Sequence, residues 1–277
     1  MHGKDFTRIS EKGREMTMNT KNTNNRKKIT DILLSVAAPV VIVVLWAFAA
    51  SGGLVRTAIL PAPKTVASTL WSLSESGKLW RDMSISILRV LRGFVCGAIG
   101  GTLIGSCMAF SKTVNRILGT MVSILRPIPM LAWIPILILW LGIGENSKTA
   151  VIFIGSFWPV LLNTIHGIQS TDPKLLEVAR ILEKKRSVLI WKVYLPSALP
   201  SIFTGLRLGI SSAWTCVVGA EMIAATSGIG YMIHYARELA QPARVYAGVF
   251  CIGFVGILID KGLLALQKRL LSWSYTE

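Results

Sequence analysis

Residues 32–50 read ILLSVAAPVVIVVLWAFAA and contain no charged side chain over 19 positions. As an α-helix this segment is roughly 28 Å long, at about 1.5 Å per residue, which matches a hydrocarbon core about 30 Å thick. Its last four residues, Ala-Phe-Ala-Ala, are somewhat like a signal-peptidase site, but the apolar run is longer than that of a typical signal peptide. We therefore expect an uncleaved membrane anchor.

The composition agrees with a protein that lies in a bilayer. Of the 277 residues, 52% are hydrophobic and 16% are charged, and the mean hydropathy is +0.55. This composition excludes disorder and argues against an ordinary soluble enzyme. Further apolar segments follow the anchor at 83–110, 117–144, 149–169, 197–223 and 245–266. The sequence thus predicts an all-α, polytopic membrane protein with about six transmembrane helices.

Two of these segments carry additional information. The segment 117–144 is too long for one straight span. The sequence Arg126-Pro-Ile-Pro129 and Pro135 both offer places for a break, so we expect a discontinuous helix. In the segment 83–110, four glycines recur at every fourth residue: Gly93, Gly97, Gly101 and Gly105. Such a stripe predicts a close approach to another helix, since small residues let helix backbones touch in lipid.

The charge distribution predicts the orientation in the membrane. The formal net charge is +16, and residues 1–30 hold eight basic and three acidic side chains. This basic N-terminal tail, the loops at 112–116 and 170–196 and the basic C-terminus would all lie on the cytoplasmic side. With Phe6 as its single aromatic residue, the tail is not expected to bind nucleic acid. The first outer loop is also basic, through Arg56, Lys64, Lys78 and Arg81, and topology does not explain this charge.

The sequence contains no recognisable catalytic motif. The nearest approach to a nucleotide-binding loop, Ser76-Gly77-Lys78-Leu79, lacks the first glycine and the Ser or Thr that would bind magnesium. The three histidines and four cysteines have no metal-ligand spacing. We therefore expect no enzymatic activity, no metal and no cofactor in this chain, and any ATP would bind to another chain.

The loop between the fourth and fifth segments, at about 170–196, is the most informative stretch. Asp172 can cap a helix that begins at Pro173. Leu175, Ala179 and Leu182 then fall on one face of that helix. Taken alone, this pattern is equally consistent with a short amphipathic connector that lies on the membrane surface.

The loop also resembles a known motif. Glu177-Val178-Ala179, Val193 and Leu195-Pro196 have the spacing of the Glu-Ala-Ala loop in permease subunits of bacterial ATP-binding-cassette (ABC) importers. The resemblance covers nearly the whole chain and extends to the nitrate, sulfonate and taurine branch. It rests there on the sequences at 126–129, 134–135, 141–145, 159–163, 206–208 and 220–221.

The resemblance implies a type I ABC importer permease-like fold, with a transmembrane permease domain at 31–277 in a bacterial plasma (inner) membrane. It implies a homodimer, two cytoplasmic ATPase subunits that hold ATP and Mg²⁺, and an extracytoplasmic substrate-binding protein. The residues to which it assigns the coupling role are Asp172, Leu175, Glu177, Val178, Ala179, Arg180, Leu182, Glu183, Leu195 and Pro196. Glu183 departs from the family, which has a glycine there for the turn after the helix.

The pathway residues are predicted from the cost of ionisable groups in a membrane. We expect Arg126, Asn163 and Glu221 to line a pathway or gate for a small anion such as a sulfonate, taurine, nitrate or bicarbonate. Arg207 is expected to extend towards the inner surface. Three tryptophans are expected to serve packing instead: Trp133, Trp158 and Trp214.

Two alternatives remain open. A stand-alone secondary transporter or channel would show an inverted repeat with paired broken helices, or a chain of membrane carboxylates. A structural or assembly factor would use the glycine stripe for association. The resemblance favours the importer subunit over both alternatives.

Overall fold

A computed structural model describes residue 34 and the residues at 37–52 and 55–271, with the side chain of Arg180 excepted. The predicted basic tail at 1–30 lies outside the described residues, as does most of the first turn of the predicted anchor. The chain divides into two compact units, at 1–65 and 66–277, which are described separately.

The first unit contains helix α1 (Ala37–Ser51), the described part of the predicted anchor. Its large apolar side chains are exposed in the isolated chain, as expected of a helix that contacts lipid. After α1 the chain turns back, and the indole Nε1 of Trp46 donates a hydrogen bond to the carbonyl of Pro61 over 3.0 Å.

The rest of the chain is helical, with short connections. The helices are α2 (Pro63–Glu75), α3 (Lys78–Phe110), α4 (Lys112–Leu125), α5 (Met130–Leu141), α6 (Glu145–Gln169), α7 (Pro173–Ile181), α8 (Arg186–Leu189), α9 (Leu195–Ala224), α10 (Ile229–Glu238) and α11 (Pro242–Leu270). A π-helical turn at Ile190–Tyr194 joins α8 to α9, so that Arg186–Ala224 is one continuous helix. The described residues include no strand.

Four of these helices are long and apolar enough to cross a membrane: α3, α6, the continuous helix Arg186–Ala224 and α11. The pair formed by α4 and α5 passes the same test together and is bent by 102°. With the shorter apolar helix α1, these elements correspond to the six predicted segments. The prediction of an all-α, polytopic membrane fold is therefore confirmed.

The bend between α4 and α5 lies at the predicted break. Two prolines in the sequence Arg126-Pro-Ile-Pro129 remove backbone donors, and Pro129 has an extended backbone with ψ 136° before α5 begins. Pro135 lies inside α5 without interrupting it, so the expectation of a break at Pro135 was wrong. The prediction of a discontinuous helix is confirmed at the paired prolines.

Helix α3 packs closely against α6 along the glycine stripe. A Cβ atom added to Gly101 would lie 2.9 Å from the carbonyl oxygen of Phe157 and 3.0 Å from the amide nitrogen of Leu161. These are backbone atoms of α6, which cannot move aside as a side chain can. All four glycines of the stripe are buried, so the predicted close approach is confirmed and its partner is α6.

We therefore predict that Gly101→Ala separates α3 from α6 and lowers the free energy of unfolding by about 1–3 kcal/mol, as overpacking does in other cores. The matched control is Gly100→Ala, because a Cβ at Gly100 would lie 3.5 Å from the ring of Phe153, at ordinary contact distance. Denaturant unfolding of the purified chain in mixed micelles measures both variants. Equal stability of the two variants would contradict the interface described here.

Candidate functional site

The helix of the loop at 170–196 forms as predicted. Helix α7 begins at Pro173, and the amide of Lys174 donates a hydrogen bond of 2.9 Å to Oδ1 of Asp172. Asp172 therefore caps the first turn, where helix amides lack internal acceptors. Proline is favourable at the first position because its missing N–H would be unpaired there in any case.

The same helix ends in a left-handed turn at Glu183, whose φ is +47°. The amide of Lys184 donates to the carbonyl of Ala179 over 3.2 Å, and the amide of Leu182 donates to that of Val178 over 3.0 Å. This is a common helix ending, in which glycine is the usual left-handed residue. Glu183 therefore keeps the backbone turn expected of the family's glycine, and it adds a negative charge at the turn.

The loop borders an apolar groove of about 660 Å³ between α7 and the start of the continuous helix Arg186–Ala224, where Pro196 and Pro200 also lie. Ala179 lines this groove and is only 7% exposed, whereas Leu175 and Leu182, on the same face, are 49% and 58% exposed. This face of α7 is therefore partly open, and the coupling role of its residues stays a prediction.

Further apolar side chains of α7 are exposed towards its outer face. Val178, which also lines the groove, is 54% exposed and Ile181 is 80% exposed, and the preceding residue Glu177 is exposed as well. The helical spacing of Leu175, Ala179 and Leu182 did not include Ile181. The sequence nevertheless contained a signal for the exposed residues, since Val178 and Ile181 are three residues apart and therefore lie on one face of the helix.

The loop is anchored to the spans at its other end. Leu195 and Tyr194 pack against a buried cluster of Ile168, Ala198 and Ile202, at the end of α6 and the start of α9. The ring of Tyr194 also meets the ring of Phe110, at the end of α3, edge-on with centroids 5.2 Å apart. The loop is thus in contact with α3, α6 and α9 together.

Two of the predicted pathway residues line one cavity. Arg126 and Asn163 border a space of about 470 Å³ between the α4–α5 break, α6 and α9. Trp158 also lines it, and its indole N–H is buried without an acceptor among the described residues. Asn163 donates to the carbonyl of Pro159 over 2.8 Å, so its side chain is held in place by its own helix.

This cavity has the chemistry of an anion site. The guanidinium of Arg126 makes no ion pair with any described residue, and the indole N–H of Trp158 lacks the acceptor that a buried donor ordinarily has. An oxyanion accepts hydrogen bonds from both kinds of donor. Trp214 instead donates to the carbonyl of Ile252 over 3.0 Å. The indole N–H of Trp133 also lacks an acceptor among the described residues, but Trp133 packs against the core cluster of α5, α6 and α9 and does not line this cavity.

The third predicted pathway residue, Glu221, lies elsewhere and is fully buried. Its carboxylate accepts hydrogen bonds from the amide of Gly230 at 2.9 Å and from Arg89 Nη1 at 2.9 Å, and the hydroxyl of Ser86 lies 2.8 and 2.9 Å from its two oxygens. Gly228 has φ +106°, and a Cβ there would overlap this carboxylate. The chain thus closes tightly around Glu221.

Arg89 is the centre of this cluster, and the sequence analysis did not single it out. Its five N–H donors make five hydrogen bonds, with both oxygens of Glu145 at 2.8 and 2.6 Å, with Glu221, and with the carbonyl and hydroxyl of Ser227 at 2.7 and 3.1 Å. Lys148 donates to Glu145 over 2.9 Å. Two basic and two acidic side chains therefore balance their charges among α3, α6 and α9.

A sequence signal for Arg89 existed. The glycine stripe continues towards the start of α3, with the same spacing of three or four residues, through Arg89, Ser86 and Asp82. Each of these side chains is buried. An arginine on the contact face of a membrane helix needs an acidic partner on the neighbouring helices, so the extended stripe predicts the ion pairs.

Arg207 pairs with an acidic side chain that the sequence analysis did not assign to it. Its guanidinium pairs with Asp260 of α11 in a bidentate arrangement, with Nε and Nη2 2.7 and 2.9 Å from the two carboxylate oxygens. This acceptor on a neighbouring helix satisfies the planar guanidinium. The expected extension of Arg207 towards the inner surface stays a prediction.

The comparison with known families agrees with this arrangement of helices and loop. The model of the family described as "Binding-protein-dependent transport system inner membrane component" matches residues 97–272. The chain belongs to this family. It is therefore a transport component of a multi-pass, inner-membrane type, as the resemblance of the loop at 170–196 implied.

Curated relatives support this membership over most of the chain. The transport component is 42% identical to a putative aliphatic sulfonates transport permease protein of Bacillus subtilis over 235 residues, which is 85% of each chain. It is 34% identical to the taurine transport system permease protein of Escherichia coli, over 87% of this chain and 90% of that protein. The predicted family and branch are confirmed.

A solved structure supports the fold alone. Helices of the transport component superpose on a chain of the MetNI methionine ABC transporter in an inward-facing conformation, with a TM-score of 0.56 and 17% sequence identity. The match covers 66% of this chain and 93% of the other. Within the described residues, no group of three or more His, Cys, Asp or Glu side chains is placed to hold a metal ion.

We predict that Arg89→Leu lowers the free energy of unfolding by about 3–5 kcal/mol, because it leaves Glu221 buried and without its charge partner. The double variant Arg89→Leu with Glu221→Leu should recover part of this loss, since it removes both charges. Denaturant unfolding in mixed micelles measures both.

The matched control is Glu238→Gln, which removes a charge from the pair between Arg237 and Glu238, where both side chains are 59% exposed. This variant should unfold as the unaltered chain does, because water already solvates an exposed pair. If Arg89→Leu behaved like the control, the buried cluster would not be a stabilising element.

Proposed function

We propose that the chain is the membrane-spanning permease subunit of an ATP-driven ABC importer and forms the translocation pathway for a small anionic solute. In this proposal two copies form a homodimer, bind two cytoplasmic ATPase subunits that hold ATP and Mg²⁺, and receive solute from an extracytoplasmic binding protein. The observation that carries the proposal is the capped helix α7, which presents apolar side chains outward from the basic loop at 170–196.

The outer face of α7 supports docking of another protein. Val178 and Ile181 are exposed apolar side chains on a charged loop, and burying apolar surface favours association. Glu177 lies on the same helix and can set the register of docking through charge. Since the sequence carries no nucleotide-binding loop, the partner that this helix contacts would be the chain that binds ATP.

Packing at the base of the loop supports mechanical coupling. Tyr194 and Leu195 contact the ends of α3 and α6 and the start of α9, so a displacement of α7 reaches three spans at once. Closure of two ATPase subunits on ATP would bring the two α7 helices together and rotate the spans between inward-open and outward-open arrangements. This chain then contributes rigid transmission and takes no part in hydrolysis.

The cavity beside the α4–α5 break supports an anionic solute. A broken helix exposes backbone groups that can line a hydrophilic space in the membrane. Arg126 lies at this break and supplies a positive charge, while Trp158 and Asn163 supply polar groups from α6. The relatives named for sulfonate and taurine transport agree with such a solute. Nitrate and bicarbonate share the same charge.

The orientation follows from the loops. The basic residues at 112–116 and 170–196 and those near the C-terminus lie on one side if the six segments cross in sequence. The positive-inside rule makes this side cytoplasmic, with both termini there. Helix α7 would then face the ATPase subunits, and the start of α3 would face the binding protein.

The first prediction concerns docking. Val178→Lys combined with Ile181→Lys should weaken capture of the ATPase subunit at least about tenfold, because it replaces two exposed apolar contacts by charges. Capture is measured by co-purification of the tagged chain from mild detergent, with ATPase activity of the eluate as a second readout. Ala179→Arg is less informative, since Ala179 is buried and the loop itself would be distorted.

The control for this experiment is Leu239→Lys, an equally drastic change at an exposed leucine beyond α10. It should leave capture unchanged, and all variants should reach the membrane in equal amounts. Full ATPase capture by the double variant would contradict the proposed docking face, and absence of any ATPase with the unaltered chain would favour a stand-alone transporter.

The second prediction concerns the cavity. Arg126→Gln should reduce the initial rate of uptake of the anionic solute about tenfold, because it removes the positive charge. Trp158→Phe should reduce the rate by a similar or smaller factor, because it removes one hydrogen-bond donor to a charged group. Uptake of a labelled sulfonate by cells measures this effect. Arg116→Gln is the control, because Arg116 is exposed on α4 and does not border the cavity. Unaltered uptake by both cavity variants would place the pathway elsewhere.

A further inference from the structure

A second polar cavity lies at the start of α3, away from the cavity that Arg126 lines. It has a volume of about 530 Å³ and is formed by the first turns of α3 and by the residues around the start of α10. The side chains on which its chemistry depends are Lys78, Arg81, Asp82, Thr226 and Tyr231. The predicted topology places this end of α3 on the outer side of the membrane.

Asp82 makes this cavity suitable for a positively charged group. Its side chain is buried, with the residue 6% exposed, and Oδ1 accepts a hydrogen bond of 3.2 Å from the amide of Gly228. Oδ2 is also buried but has no hydrogen-bond partner among the described residues. A buried carboxylate oxygen without a donor is unfavourable, so this atom is ready to accept a hydrogen bond from a bound donor.

Two basic side chains also line the cavity. Lys78 and Arg81 are exposed, and neither makes an ion pair with a described residue. Helix α3 begins after Gly77, which has no side chain to cap the first amides. Two free cations and an uncapped helix start both favour a bound oxyanion.

We propose that this cavity binds a small zwitterion in which an oxyanion is joined by a short chain to an ammonium group. The oxyanion lies by Lys78, Arg81 and the start of α3, and the ammonium donates to Oδ2 of Asp82. Thr226 and Tyr231 also line the cavity. This assignment gives a role to two of the basic residues of the first outer loop that topology leaves unexplained.

Two sources supply this chemistry. One is a free aminosulfonate such as taurine. The assignment of taurine as the transported solute rests on the proposed function. The other is the phosphoethanolamine headgroup of a membrane lipid. Both present an oxyanion and an ammonium, and a binding experiment separates them.

The experiment uses the full chain in nanodiscs of phosphatidylcholine and measures binding of taurine, of ethanesulfonate, which lacks the ammonium, and of ethylamine, which lacks the oxyanion. Taurine should bind more tightly than either fragment. Asp82→Asn should weaken taurine binding about tenfold or more and leave ethanesulfonate binding unchanged, because it removes the charged acceptor of the ammonium alone.

Arg81→Ala should weaken taurine and ethanesulfonate together, and Arg92→Ala should weaken neither. Arg92 is the matched control, since it is an exposed arginine of the same helix that does not border the cavity. The proposal would be overturned if neither Asp82→Asn nor Arg81→Ala changed the affinities for taurine and ethanesulfonate. It would also be overturned if taurine did not bind saturably and no lipid was bound in the measurement described next.

Nanodiscs that contain phosphatidylethanolamine distinguish the two sources. If the lipid headgroup is the ligand, this lipid should stay bound to the chain in native mass spectrometry, be lost in Asp82→Asn, and displace taurine. If free taurine is the ligand, its affinity should not depend on the lipid. Capture of the ATPase subunit by the same preparations tests the proposed function independently. If the chain captured the ATPase subunit but bound neither ligand, the cavity assignment would be rejected and the proposed function would stand.

Discussion

The close approach of α3 to α6 is the constraint on which the other features of the structure depend. Lipid tails are as apolar as leucine side chains, so helices in a membrane gain little from apolar contact as such and associate through tight packing and polar bonds. Gly101 shows the tightness, since a Cβ there would lie 2.9 Å from a backbone oxygen of α6. The same face of α3 changes from glycine to polar residues towards its start, which brings Arg89 within reach of acidic groups on two neighbouring helices.

This division of one helix face has functional consequences. The glycine half packs tightly against α6, and the polar half carries the ion pairs with Glu145 and Glu221 and, about two turns further towards the helix start, the cavity at Asp82. At the opposite end of the spans, Leu195 and its neighbours tie the loop at 170–196 to the same helices. In the proposed importer, a displacement of α7 would therefore move these packed helices together. The opposite end of the same helices holds the buried, charge-balanced cluster around Arg89.

The parts of the site that depend on interactions between residues close in sequence were predictable. The helix cap at Asp172 and the break at the paired prolines depend on backbone chemistry within a few residues, and both formed as expected. The effect of Glu183 was left open by the sequence, and the structure has it in a left-handed turn. Arg126 and Asn163 were expected to share a pathway, and they line one cavity. The exposure of Ile181 was not foreseen, because the spacing of Leu175, Ala179 and Leu182 pointed to another face of α7.

By itself, the sequence determined the membrane environment, the order of the helices, the broken segment and the glycine stripe, because hydrophobic length, proline and helical periodicity act locally. Only the tertiary structure decided which charges meet. Arg207 pairs with Asp260, and Arg89 joins Glu145 and Glu221 across helices that are far apart in the chain. In a membrane the cost of an ionisable group is offset by a partner, and the choice of partner depends on helix packing in three dimensions.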